Sequence, residues 1–320
     1  MSTLDPDPPL SSASPVRVAL GRGLARVREA WRDVAVGYLL SLLLALPLAA
    51  ALRASLADSL RHREAAENLL RSWDGLWHAT FSSRAQGIES TFDAGVVGIG
   101  AVLRSLDALL RGVLLELPGP IVLVGLVYLL GWVLLSGGLL RRFRGEEGGV
   151  IRLGAGCLHR MLPLAMVGWG AWLMLLGVVL PGLGVWVEEH CREVIDERVH
   201  VAWVLGKYLV VWSLVLAVRV VIDYAKIVAL EDPSASSFVA IRRALIFCRH
   251  HARAVTSVVL QLGAVWVGIG LAYAMVAPGA DQGNPLKILV AFLISQLSVG
   301  ARVGLRAWSL ASAQALLRRA

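Results

Sequence analysis

Glu189, Glu193, Asp196 and His200 recur at i, i+4, i+7 and i+11, one face of a helix, with His190 and Cys191 beside them. Carboxylates and an imidazole on one face could bind a divalent cation. A solvated face beside lipid headgroups accounts for the same pattern. A second group of chemistry-bearing residues lies in 222–251, IDYAKIVALEDPSASSFVAIRRALIFCRHH, between two long apolar runs. His250 and His251 have no spaced carboxylate partner, which suits snorkelling or a phosphate-facing role better than ligation. Neither H-E-x-x-H nor paired C-x-x-C occurs, and neither does a P-loop or a G-x-S-x-G elbow. These residues therefore imply no metal, no cofactor and no catalytic site, and the chain is expected to be non-enzymatic.

Charges at membrane depth are more informative. Arg219 ends one apolar run, with Asp223 four residues later on the same helical face and Lys226 one turn further. Arg302 and Arg306 occupy the matching place in the last run, and aligning AVRVVIDYA with GARVGLRAW pairs Arg219 with Arg302. Charges near a bilayer are costly and usually paired, lining a bundle or snorkelling out. Asp223 is expected to bond Arg219, with Arg302 as a second candidate that would tie the last two pairs of spans together. A proton or anion relay is the functional variant of that reading.

The elements that must position these residues follow from hydropathy. The chain has 320 residues, of which 57% are hydrophobic and 17% charged, with a net charge of +8. Its mean hydropathy is +0.68 and its pI about 10.0. A soluble domain carries nearer a quarter charged. Apolar runs long enough to cross a bilayer predict spans at about 34–52, 120–140, 162–187, 201–222, 254–277 and 286–312. They are continuous rather than alternating, which argues against a β-barrel. The expected fold is an all-α membrane protein of six transmembrane helices arranged as three hairpins.

The positive charge does not imply nucleic acid, because its distribution follows the connections between spans. Arg17, Arg22, Arg26, Arg28 and Arg32 precede the first span, and Arg141, Arg142, Arg144, Arg152 and Arg160 fill the second connection. Lys226, Arg242, Arg243, Arg249 and Arg253 fill the fourth, whereas the third is acidic with Glu188, Glu189, Glu193, Asp196 and Glu197. Such alternation matches the positive-inside bias and places both termini in the cytoplasm of a bacterial inner membrane. Cys157, Cys191 and Cys248 then fall inside, outside and inside, with no disulfide framework.

Three segments, 18–44, 148–173 and 236–262, share a layout in which a short basic, partly apolar stretch leads into an outgoing span. Each hairpin is accordingly expected to follow a cytoplasmic amphipathic helix, by duplication or by a shared physical solution. Residues 1–16 read as a Pro-rich disordered tail and 17–320 as one membrane domain, with an extracytoplasmic helical insertion at 53–118. In that insertion Leu56, Leu60, Leu69, Leu70, Trp73, Leu76 and Trp77 recur at roughly helical spacing. Gly300 and Gly304 form a G-x-x-x-G that could allow close helix contact.

In the elbow, Asp232-Pro233 reads as an N-cap followed by a first-turn proline. On the helix it would start, Phe238, Ile241, Leu245 and Cys248 form one apolar stripe, flanked by Arg242, Arg243, Arg249 and His250. Such a helix suits an inner leaflet of anionic lipid or a partner's groove. The paired spans, the Asp223-Tyr224-Ala225-Lys226 segment, the Ser-rich turn and AIRRALIFCRHH together resemble poorly characterised bacterial multi-pass membrane proteins over 119–312. They are also similar in layout to the membrane domain fused to some glycerophosphodiester phosphodiesterases. This chain has no catalytic phosphodiesterase domain, so the resemblance implies an integral membrane protein and no reaction. Two roles fit: a scaffold or accessory component of an envelope or transport complex, touching lipid and a protein partner or a second copy; or a permease for a small or lipid-like solute. A permease needs polar side chains meeting at mid-bilayer, and the span centres offer Ser41, Ser213, Gln261, Ser295 and Gln296.

Overall fold

The computed structural model describes residues 14–61, 74–92, 119–194, 196–232, 234–277 and 284–319, with Gly100, Leu103 and Asp107. Every regular element among them is helical. Six helices are long and apolar enough to cross a membrane. They are α2 (Trp31–Ser59), α4 (Gly119–Arg142), the continuous helix Val150–Cys191, α7 (Glu197–Glu231), α9 (Ala252–Val276) and α10 (Pro285–Leu317). Each apolar run extends into its polar flanks, because a helix once nucleated continues at one hydrogen bond per residue until a cap or proline stops it.

The Val150–Cys191 helix comprises α5 (Val150–Met174), a π-helical turn (Leu175–Val179) and α6 (Leu180–Cys191). Pro181 explains the wider turn. Proline lacks an N–H and its ring collides with the carbonyl four residues back. Widening the turn before it, with the Leu180 amide bonding the Leu175 carbonyl, absorbs the collision without ending the helix. In this unit the basic segment and the span are one helix. In the other two they are separate: α1 (Pro15–Glu29) precedes α2, and α8 (Ser237–His250) precedes α9. Helix α1 opens at Pro15, with the Ser14 hydroxyl accepting from the Arg17 amide.

The remaining short elements are α3 (Gly75–Ser82) and a 3₁₀ turn (Gly87–Thr91). Asp74 caps α3, and Trp77, Phe81 and Phe92 form a small aromatic cluster with centroids 5.2–6.1 Å apart. The Ser55 hydroxyl donates to Glu89 at 2.6 Å, fixing the 3₁₀ turn to the end of α2. Leu69, Leu70 and Trp73 lie outside the described residues, as does most of 93–118 and the tail 1–13.

Spans pack in chain order except between α7 and α9: α2 on α4, α4 on α5, α5 and α6 on α7, and α9 on α10. The packing is uneven along the helices. Residues 132–140 of α4, 224–229 of α7 and 310–316 of α10 are buried with few interruptions, on all sides of their helices. These three stretches lie at one end, with the Arg141–Arg144 cluster, and α1 and α8 wrap them. Toward the far end, Leu43, Leu123, Val178, Leu209, Leu271 and Leu293 are exposed, as lipid-facing side chains are. We call the packed end the basic end.

Small residues set the spacing there. A Cβ on Gly23 of α1 would collide with Ser312 of α10, one on Gly138 of α4 with the Val150 carbonyl, and one on Gly154 of α5 with the Leu134 carbonyl. Gly300 and Gly304 have nothing within 4 Å of an added Cβ, so the G-x-x-x-G on α10 is not a contact. Polar cross-links reinforce the seams: the Trp308 indole donates to the Leu20 carbonyl at 2.9 Å, and the buried Gln314 amide donates to the Leu140 carbonyl at 3.1 Å. Gly154→Ala should therefore cost about 1–3 kcal/mol by overpacking, whereas Gly300→Ala should stay within about 1 kcal/mol of the parent. Thermal unfolding in detergent of the two variants checks this, and equal melting temperatures would remove the seam argument.

Candidate functional site

The charges singled out in the sequence converge on the basic end, with one substitution in their pairing. Asp223 and Lys226, one turn apart on α7, join at 3.2 Å, and the Lys226 side chain is only 9% exposed. Arg219 reaches Asp223 at 4.0 Å from an exposed position. Arg302 lies on the exposed side of α10 and is not a partner of Asp223. The link across to α10 runs through Arg306. Its guanidinium sits 4.0 Å from the Trp132 ring centroid on α4, beside Tyr128, and within the electrostatic reach of Asp223. A cation over an indole face gains from the ring quadrupole, and more so when desolvated. Aligning α7 with α10 placed Arg302 opposite Arg219 in sequence. Arg306, one turn further along the same face, is the one that Trp132 of α4 covers, whereas Arg302 is exposed.

Ion pairs continue around the end. Asp33 of α2 accepts from Arg142 of α4 at 2.9 Å, and Glu146 accepts from Arg141 at 2.7 Å. Arg144 donates to the Leu230 carbonyl at 2.9 Å, closing the α4–α5 turn over the end of α7. These pairs join segments that share no periodicity, which is why the sequence offered no signal for them.

The elbow folds differently from its sequence reading. Asp232 is the C-cap of α7 rather than the N-cap of α8, and Ser236 takes the latter role, accepting from the Val239 amide. Pro233 lies outside the described residues. The Asp232 carboxylate instead gathers the Ser234 hydroxyl and amide and the Arg243 guanidinium at 2.7 Å. Hydrogen bonds from the Ser234 side chain and then from Arg243 hold its pKa at about 2, below the ordinary 3.8.

Helix α8 turns Ala240 and Ala244 inward, with Ile241, Phe247 and Cys248 partly covered. Phe238, 80% exposed, and Leu245, 55% exposed, point away beside Arg242 and Arg249. The single stripe expected from spacing is thus divided between two faces. Alanine lets α8 approach α7 closely, so the small side chains rather than the large ones mark its docked face. His250 bonds the Ile246 carbonyl of its own helix. Burial pushes the Cys248 thiol up to about 11, so it remains protonated near neutrality.

The acidic connection is divided between two helices. Helix α6 ends at Cys191 and α7 starts at Glu197, with Asp196 capping it through the Arg198 amide. Glu189 and His200 therefore stand on different helices, and no cluster of three metal-ligating side chains occurs among the described residues. All three cysteines are free.

Two outcomes follow. Asp223→Asn leaves Lys226 buried without its carboxylate and should cost about 1–3 kcal/mol, with Lys226→Met restoring most of that loss in the double variant. Arg302→Ala should change stability by less than about 0.5 kcal/mol. Melting temperatures in detergent report all three, and a costly Arg302→Ala would put the cross-link back on that residue. A carboxylate with a depressed folded pKa adds stability above its unfolded pKa and loses it as pH falls through the folded one. The Asp232 contribution should accordingly vanish between pH 3.8 and about 2, and a carboxyl carbon titration by NMR should move toward 3.8 in Ser234→Ala.

Neither the sequence nor the fold finds a match among family models, curated proteins or solved structures.

Proposed function

We propose that this chain is a non-enzymatic, multi-pass protein of a bacterial inner membrane that serves as a scaffold or accessory component of an envelope or transport complex. The six spans form three hairpins, and the basic end is cytoplasmic, with both termini there. Helices α1 and α8 are its cytoplasmic amphipathic helices, and α8 presents its free face to anionic lipid and to a protein partner or a second copy. The segment 53–118 is an extracytoplasmic insertion between the first two spans.

The observation that carries the reading is how the polar groups of the spans are used. Ser41 bonds the Gly37 carbonyl, Ser295 the Ala291 carbonyl and Gln261 the Ser257 hydroxyl, each within its own helix. Tyr38 and Gln296 bond each other between α2 and α10 at 2.9 Å, and that pair closes a seam rather than lining a path. A permease needs such groups to converge around a solute. The two best-formed recesses among the described residues lie on one side of α9 and at the basic end, and neither threads the spans. Packing investment at the basic end, with large apolar side chains left outward on α8, favours a docking role over conduction.

Phe238→Asp combined with Leu245→Asp is expected to leave the melting temperature of the isolated chain nearly unchanged, because both side chains are exposed. The parent is expected to run as a higher-mass assembly by native electrophoresis and mass spectrometry after mild extraction, and the same variant to lose it. A parent recovered only as a monomer that supports solute flux in liposomes would overturn the proposal in favour of a permease.

A further inference from the structure

The basic end contains a recess of about 340 Å³ between the end of α1, the α4–α5 turn and the end of α10. Arg26, Arg142, Arg144 and Arg318 line it, with Glu29 in the same wall. Burying several cations together is unfavourable unless anions accompany them. Arg142 is satisfied, since its Nε donates to Asp33 and its Nη1 to the Glu146 carbonyl, each at 2.9 Å.

Arg26 and Arg144 are not. Arg144 spends Nη1 on the Leu230 carbonyl, but its Nε and Nη2 are buried without a hydrogen-bond partner, as is Nη1 of Arg26. Their neighbouring carboxylate is stretched. Glu231 Oε1 stands 3.5 Å from Arg144 and 3.6 Å from Arg318, beyond the roughly 2.7–2.9 Å of a charge-assisted hydrogen bond. Burial, followed by repulsion from Arg318, pushes the Arg26 guanidinium below its ordinary range. Burial does the same to Arg144, with Glu231 opposing and Arg318 adding to it. Like charges have been gathered with fewer hydrogen-bond acceptors than donors.

One chemistry answers this arrangement. A carboxylate presents two oxygens in one plane and matches one guanidinium fork. A phosphate presents three in different directions and can accept several forks at once. We propose that this recess binds a phosphate-bearing anion through Arg26, Arg144 and Arg318, the phosphate belonging to a lipid headgroup or free in solution. The anion locks the ends of α1, α4 and α10 together, so occupancy stabilises the basic end as a unit.

Two titrations of the purified full chain separate the sources, with thermal unfolding as the readout. One adds inorganic phosphate to protein in zwitterionic detergent; the other raises phosphatidylglycerol in phosphatidylcholine nanodiscs. A saturable rise in melting temperature is expected in at least one, and the arm that saturates names the source. Arg26→Gln should not lower the melting temperature without ligand, because it removes a cation that burial and Arg318 disfavour and whose Nη1 is buried without a hydrogen-bond partner. It should weaken the half-saturation concentration at least about tenfold. A purely structural arginine would give the opposite signs. Arg152→Gln, exposed on α5, serves as the control for general surface charge. Should Arg26→Gln fail to fold, Arg318→Gln at the rim carries the same readout. Saturation in neither arm, or equal half-saturation for the recess variant and Arg152→Gln, would overturn the proposal.

Discussion

Gly23 lies so close on Ser312 that a methyl group does not fit between α1 and α10, and the basic end is built outward from that contact. Lipid offers spans little hydrophobic reason to associate, since lipid tails are as apolar as leucine. What remains is close backbone approach, a few hydrogen bonds, and apolar burial wherever water reaches. This chain concentrates all three at one end. The α1–α10 seam adds the Trp308 to Leu20 hydrogen bond, and the buried Gln314 ties the same stretch of α10 to α4. With α10 fixed, the ends of α4 and α7 can be buried on every side, and α8 can settle over them.

The electrostatics follow from that compaction. Bringing helix ends together brings together the arginines that mark them, and each must find a partner or a polarisable surface. Asp33, Glu146 and Asp223 answer Arg142, Arg141 and Lys226 at 2.7–3.2 Å. The Trp132 face answers Arg306. Glu231, shared at 3.5 and 3.6 Å, answers two arginines incompletely. The basic end is thus well satisfied near α7 and under-satisfied beside α1. That asymmetry distinguishes its structural charges from the ones open to a ligand.

The spans were legible from sequence because length and hydropathy alone dictate them: five of the six apolar runs lie wholly inside helices, and the fifth outruns its helix by one residue at Ala277. Contacts between helices were not legible in the same way. The G-x-x-x-G spacing at Gly300 carries no information about whether a partner lies opposite, whereas Gly23, Gly138 and Gly154, none of them in a G-x-x-x-G, lie at close approaches. The α8 stripe misled because hydropathy ranks phenylalanine above alanine, while close packing against a crowded core favours alanine. Asp232 was misread for a related reason. Its Asp-Pro context fits a cap, but Arg243 returns to it once α8 has turned back over the end of α7, a tertiary event that no local rule contains. The acidic face failed because periodicity was counted through a break at 192–196.

Residues 310–316, the innermost part of the basic end, belong to α10, which leaves the ribosome after α1 to α9. Helix α1 meets α10 across 288 residues of sequence, as the bond between Leu20 and Trp308 records. Contacts of such sequence separation form late. Until α10 is made, α1 lacks the helix it packs against most, and the ends of α4 and α7 lack one of the helices that cover them. The basic end therefore closes last, with α10 as the element that completes it.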